Sequence, residues 1–292
     1  MKGTSSIEGL LGDERLPPRI KIENCLSVKL GLRPCSQLTV PAELPEADSM
    51  GAAIDRRMYP LMKGLDSIND IRKRVKTIRH VKEEMRSAYE DIVTKSDRYR
   101  ALMDWAKGLG LRSLHYEVRP TVREVFLYSN AHTGAALKKL MDERRRILRS
   151  MIQRPSTEID RMHVTYPEEF NADWLTRMGE LLGYPACCAS AYASDRASGV
   201  SVEERAAHQI EEAERREPID PYAYFVGYFF PCNPRCKTAQ DLGHAFSQRF
   251  EGIGHGIATT YSSIVEGNLR LVRDQPEIIR RYQAKASEVP SR

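Results

Sequence analysis

Four cysteines in two close pairs constrain this chain more than any other feature. Cys187 and Cys188 are adjacent, and Cys232, followed by Cys236, lies 44 positions after Cys188. The pairs share a setting. One lies in Gly183-Tyr184-Pro185-Ala186-Cys187-Cys188, the other in Pro231-Cys232-Asn233-Pro234-Arg235-Cys236. In each, one element stops, a proline follows and a helix starts, because proline at the first helical position loses nothing by lacking an N–H. Pro185 and Pro234 therefore predict helices that begin at the cysteines, and Asn233 is a candidate cap for the second. A helix N-terminus offers free N–H groups and roughly half a positive charge. That favours the thiolate, which is the metal-binding form of cysteine. Two such pairs can converge on one cofactor, and a fold that achieves this must join two segments distant in sequence.

Three readings compete for these thiols. The favoured one is a [4Fe–4S] cluster held by Cys187, Cys188, Cys232 and Cys236. Several irons can accept adjacent ligands, and neighbouring residues on a helix point about 100° apart. A three-thiolate version leaves one iron open to substrate. The alternative cofactor is zinc, although zinc knuckles usually use two-residue spacing rather than C-C with C-x-x-x-C. The third reading is buried small hydrophobes or redox thiols. Cys25 and Cys35 are isolated, and six cysteines in 292 residues are too few for a disulfide scaffold.

The remaining pattern predicts a helix-rich α+β fold. Ile20, Ile22, Leu26, Val28 and Leu30 fall on alternate positions, with Asn24 as the exception, and predict a half-buried strand. From Ile68 to Met103 the period changes to 3-4 spacing. That predicts a long amphipathic helix, or two helices broken near Ser96 and Asp97. Gly108-Leu109-Gly110 ends it. Two short strands on either side of Pro120, or one strand broken there, follow, then a helix capped from Ser129, Asn130 or Thr133. Residues 153–171 read as a loop. Further helices are expected from about Asp173 to Leu182, from Cys188 to Ser198, and after the Ser201/Glu204 capping box. An aromatic run extends from Tyr222 to Phe230, and Phe225 to Phe230 reads as an apolar wall beside the cysteines or as a buried strand. Pro276 is expected to open a terminal helix. This divides the chain into an N-terminal extension or small β element (1–50), a long helical region (51–107), an α+β cysteine-motif domain (108–283) and a frayed tail (284–292).

Charge and hydropathy narrow the function classes. Lys plus Arg is 45 and Asp plus Glu is 40, a net charge of +5 that neither demands nor forbids anionic partners. No apolar run approaches the roughly 18 residues of a membrane helix. Met1–Arg19 lacks the apolar core of a signal peptide, so a reducing, cytoplasmic setting is expected. Arg144, Arg145, Arg146 and the basic residues of the Ile68 helix suit an acidic partner. The interleaved basic and aromatic residues of RNA modules are absent, however, so a nucleic-acid partner is not expected. The long helix also offers a homodimer surface. Arg123, beside a strand end, and Arg235, inside the second cysteine loop, are candidate binders of a substrate carboxylate or phosphate. Tyr184 and His255 are candidate acid–base groups. The Gly252–Gly256 stretch around His255 reads as a loop over the site. His244 lies two turns after Cys236, where helix rotation over eight residues turns it roughly 80° off the cysteine face.

The run Leu181-Leu182-Gly183-Tyr184-Pro185-x-Cys187-Cys188, with Pro231-Cys232-x-x-x-Cys236, Ala239 and Gly243, resembles a prokaryotic family catalogued as domain of unknown function 483. A looser likeness runs upstream through Leu109, Val122-Arg123-Glu124-Val125 and the Ala135–Leu140 helix, so the resemblance covers about residues 100–265. It implies a cysteine-ligated cluster and no particular reaction. The sequence therefore leans to an iron–sulfur enzyme, a lyase or sulfurtransferase, acting on a small molecule in a biosynthetic or sulfur-transfer pathway. The alternative is a zinc-stapled binding module that contacts RNA or another acidic partner through its basic helices.

Overall fold

The computed structural model describes residues 7–152 and 166–288. The fold is helix-rich α+β, with one three-stranded antiparallel sheet among the described residues. The chain forms two units, residues 1–31 with 35–134 and residues 32–34 with 135–292.

In the first unit, α1 (Ile7–Gly12) precedes a π-helical segment, Ile20–Leu26, that runs into the short α2 (Ser27–Lys29). This corrects the strand expected over Ile20 to Leu30. Every residue from Ile20 to Val28 is buried, so neither face is marked by polarity and the alternation carries no information. The polar residues in the run all find partners. Lys21 donates to the Leu11 carbonyl at 2.8 Å, Glu23 pairs with Arg19, and Ser27 donates to the Glu23 carbonyl. Asn24, the residue that broke the alternation, donates to the Gln37 carbonyl at 3.1 Å, while Ser36 donates to the Asn24 carbonyl at 2.8 Å. These bonds lie on β1 (Cys35–Val40), an edge strand, and help to cover it.

The helical region consists of α3 (Ala47–Met62), α4 (Ile71–Tyr89) continuing through a π-helical turn at Glu90–Thr94, and α5 (Asp97–Gly108). Ser96 caps α5 by accepting the Tyr99 N–H, so the helices break where the 3-4 pattern falters. The hairpin of β2 (Arg112–Arg119) and β3 (Val122–Tyr128) turns at Pro120, and β3 is central, paired with both β1 and β2. Val125, Phe126 and Leu127 on it are buried together with Leu38. Asn130 then caps α6 (Ala131–Ile152) by accepting the Thr133 N–H at 2.8 Å.

In the second unit, the loop expected over residues 153–171 falls outside the described residues up to 165. Pro167–Phe170 forms a 3-10 turn before α7 (Ala172–Leu181). Then come α8 (Ala186–Ala197), α9 (Val202–Glu214), α10 (Lys237–Glu251) and α11 (His255–Glu288). Ser201 caps α9 by accepting the Glu204 N–H. Val202, Ala206 and Ile210 of α9 share a core with Leu269 and Val272 of α11. This packing sits just before Pro276, and α11 continues through that proline instead of starting there. An interior proline removes one helical bond, and the packed turns before it hold the helix. Residues 289–292 of the expected tail lie outside the described residues.

The aromatic run is not a strand. It forms a 3-10 turn, Pro221–Tyr224, and an irregular buried segment. Buried carbonyls need donors, and α11 supplies them. Tyr261 donates its hydroxyl to the Phe225 carbonyl at 2.8 Å, and Asn268 donates to the Tyr224 carbonyl at 3.0 Å. Tyr261→Phe removes one donor while keeping the ring, and leaves a buried carbonyl unpaired. The expected cost is about 1–3 kcal/mol in urea unfolding with an unchanged m-value.

Candidate metal centre

The first cysteine pair is placed by the α7–α8 turn. Gly183 holds φ +77°, a backbone that favours glycine, and the Tyr184 N–H returns to the Gly179 carbonyl at 2.9 Å to close α7. Gly179 also lets the two helices meet, since a Cβ there would lie 2.8 Å from the Ala189 Cβ. The Pro185 carbonyl accepts the N–H groups of Cys188 and Ala189, so Pro185 caps α8 and Ala186 is its first residue. The helix starts one residue later than Pro185 alone suggests, and both cysteines still lie in its first turn.

The second pair sits differently from expectation. Pro234 does not open a helix. Asn233 accepts the Arg235 N–H with its side chain at 2.9 Å and the Cys236 N–H with its carbonyl at 3.1 Å. This makes a tight turn, and α10 starts at Lys237 with Cys236 at the cap position. Asn233 therefore shapes the loop rather than capping the helix, and its amide donates to the Cys232 sulfur at 3.5 Å.

The four thiols converge. The Cys187 Sγ lies 3.8 Å from Cys188 Sγ and 3.7 Å from Cys236 Sγ, and Cys188 Sγ lies 3.6 Å from Cys236 Sγ. With Cys232 included, all four sulfurs fall within 4.8 Å of one another, so this group can hold a metal ion. Cys188 and Cys236 are buried, Cys232 is half-buried and Cys187 is exposed, which puts one side of the site in reach of solvent. The backbone N–H of Cys232 donates to Cys188 Sγ at 3.4 Å, a contact of the kind that steadies a metal-bound thiolate. Burial pushes the Cys188 thiol up strongly and the Cys236 thiol up, the latter against the pull of the Ala239 N–H. For Cys187 burial acts in the same direction but is outweighed by hydrogen bonds from Cys236, Cys188, Cys232 and Thr238, and its thiol falls below the ordinary value.

Two residues that support the site carry no sequence signal. Arg205 on α9 donates to the Cys232 carbonyl at 3.2 Å and pairs with Asp195 of α8 at 2.6 Å. In the sequence both are charged residues among many on helical segments. Only the fold shows that they join the second cysteine loop to α8 and α9.

The other candidate residues have separate partners. The Tyr184 ring packs against Phe229 and Phe225, with ring centres 4.8 and 6.3 Å away, and the Arg33 guanidinium lies over it. Arg235 donates to the carbonyls of Ala213, Glu217 and Pro218 and pairs with the Glu217 carboxylate at 2.6 Å, which ties the cysteine loop to the end of α9. His255 is the first residue of α11, 84% exposed at its side chain and paired with Glu251; of the expected loop only Gly252–Gly254 is a tight turn between helices, and His255 and Gly256 belong to α11. His244 bonds Asp220 at 2.7 Å and packs against the Tyr222 ring at a tilt, with ring centres 4.4 Å apart. Arg123 belongs to the other unit, where it pairs with Glu117 and lies over the Tyr89 ring.

Among the described residues, no helix is long and apolar enough to cross a membrane. Residues 156–251 match the model of a family described as Protein of unknown function (DUF483). The match is shorter than the resemblance over about residues 100–265 and contains all four clustered cysteines. No curated protein and no solved structure is similar to the chain.

Proposed function

We propose that the segment similar to the DUF483 family is a zinc-stapled module, and that the protein acts as a binding scaffold for an acidic partner rather than through chemistry at its metal. The sulfur separations carry this reading. Zinc–thiolate bonds of about 2.3 Å in a tetrahedron put neighbouring sulfurs about 3.8 Å apart. Three of the separations are 3.6, 3.7 and 3.8 Å, and the fourth sulfur stays within 4.8 Å of the rest. A [4Fe–4S] cluster gives each thiolate its own iron at a separate corner of a cube. Its ligand sulfurs stand much further apart than the corners of one small tetrahedron, so the separations here favour a single ion.

The donor set also bears on the lyase or sulfurtransferase alternative. Four protein thiolates fill a tetrahedral zinc ion, and closed sites of this type are structural. With no open position, a small-molecule substrate has nowhere to bind the ion. Zinc here supplies cross-linking, joining the start of α8 to the loop before α10. Cys188 and Cys236, both buried, anchor it on the inner side, and the Arg205–Asp195 pair holds the outer loop.

Metal analysis of protein purified anaerobically without chelator tests the reading. The expected result is about one zinc per chain, no acid-labile sulfide and no visible colour. Replacement by cobalt should then give the intense visible bands of a tetrahedral thiolate site. Roughly four irons with four sulfides would overturn the proposal, and one iron without sulfide would keep the tetrahedron but remove zinc.

A further inference from the structure

Among the described residues of the first unit, part of one face of α4 is exposed. Along α4, Ile71, Val75, Ile78, Lys82, Met85 and Tyr89 recur at alternating steps of four and three, the seam of a coiled coil. The C-terminal end of this seam is in the core, with Tyr89 1% exposed. Toward the N-terminus it emerges, with Ile78 39%, Val75 51% and Ile71 77% exposed, and Tyr59 and Met62 of α3 are exposed as well. Asp70 caps the helix by accepting the Lys73 N–H, so the exposed turns are preformed. From Ile71 to Lys82 the helix carries Arg72, Lys73, Arg74, Lys76, Arg79 and Lys82, and no acidic residue.

We propose that this seam docks an acidic amphipathic helix of a partner protein. The stripe is one residue wide, the narrow a/d pattern of a coiled coil rather than the broad apolar face that a bilayer surface requires. Arg72 and Arg79 flank it on one side and Arg74 on the other. A second copy of this chain would set these cations against each other, which opposes a homodimer through this helix. Nucleic acid would satisfy the cations but leave Ile71, Val75 and Ile78 in water. A helix with aliphatic residues on its seam and Glu or Asp beside them satisfies both. Lys82, the one charge within the seam, sets the register by taking an acidic residue opposite it.

This inference names the partner for the scaffold reading above and does not depend on the metal, which lies in the other unit. The test uses the full chain and two synthetic three-heptad peptides, with Ile and Leu on the seam and either Glu or Lys flanking it. The Glu peptide should bind at least ten-fold more tightly than the Lys peptide. The double variant Val75→Asp/Ile78→Asp should weaken it ten-fold or more, and Arg72→Glu/Arg79→Glu should reverse the peptide preference. All four positions are exposed, so unchanged thermal melting of the variants is expected and is checked alongside. Equal binding of both peptides, or affinity unchanged in the Asp variant, would overturn the proposal. So would tighter binding to phosphatidylserine vesicles or an RNA duplex than to the Glu peptide, or dimerisation of the chain that Ile78→Asp abolishes. A chain that lacks zinc yet prefers the Glu peptide would sink the metal reading alone.

Discussion

Stripping the metal, or replacing Cys188 or Cys236 by serine, is expected to lower the melting temperature of the metal-loaded protein by about 10 °C. Structural zinc contributes about 10–16 kcal/mol in isolated finger peptides. Most of that is not at stake here, because α8, α9, α10 and α11 have an apolar core of their own, with Ile210, Phe246, Phe250 and Val265 buried. A loss of about 4 kcal/mol is reasonable for a cross-link that also leaves buried thiols without a shared cation. In a unit of this size each kcal/mol moves the midpoint by about 2–4 °C. Cys187→Ser should retain part of the effect, since Cys187 is exposed and its neighbours remain in place. Cys25→Ser, in the other unit, should leave the metal content unchanged. Calorimetry with and without chelator, with metal counted on the same samples, checks this. A midpoint that ignores both chelator and Cys188→Ser would show that the metal staples nothing.

Gly243→Ala is the second change with a large expected effect. Gly243 lies in α10, where the helix crosses the Pro221–Tyr224 turn. A Cβ built there would lie 2.1 Å from the Tyr222 carbonyl oxygen and 2.9 Å from its carbon. Backbone cannot swing aside as a side chain can, so α10 or the turn must shift. Overpacking in a dense interior costs about 1–3 kcal/mol and more when backbone is the obstacle, so about 3 kcal/mol or more is expected. Because Cys236 stands at the start of α10, the shift should also weaken metal binding. Gly267→Ala is the control. Gly267 lies inside α11 with nothing within 4 Å of the added carbon, and the exchange should stabilise by about 0.5–1 kcal/mol. If both variants melt alike, the close crossing of α10 and the turn is not as described.

Part of this architecture can be read from short stretches of sequence. Ser96, Asn130 and Ser201 cap helices through bonds that span three residues, so the chemistry that starts each helix is written beside it. The hairpin turns at Pro120 because proline cannot donate within a strand. The cysteine pairs are legible as a group because each stands next to a proline close to a helix start, although only Pro185 directly precedes a helix and Pro234 lies in a turn.

Other features follow from what surrounds a segment. The alternation from Ile20 to Leu30 suggests a strand, but burial on all sides removes the polarity that makes periodicity informative. The aromatic run is stable without a sheet only because Tyr261 and Asn268, more than 30 residues onward, serve its carbonyls. Arg235 reads as an anion binder until the end of α9 is seen to take up its guanidinium, and Arg205 gives no sign of holding the Cys232 carbonyl.

The same division holds at the metal centre. Thiol chemistry, helix starts and proline spacing mark Cys187, Cys188, Cys232 and Cys236 as one candidate group, because these depend on neighbours along the chain. Which metal the four thiols suit depends on a few ångströms between sulfurs carried by separate segments. That distance is set by how closely α7 crosses α8, how Asn233 turns its loop and how α9 grips it, which is a property of packing alone.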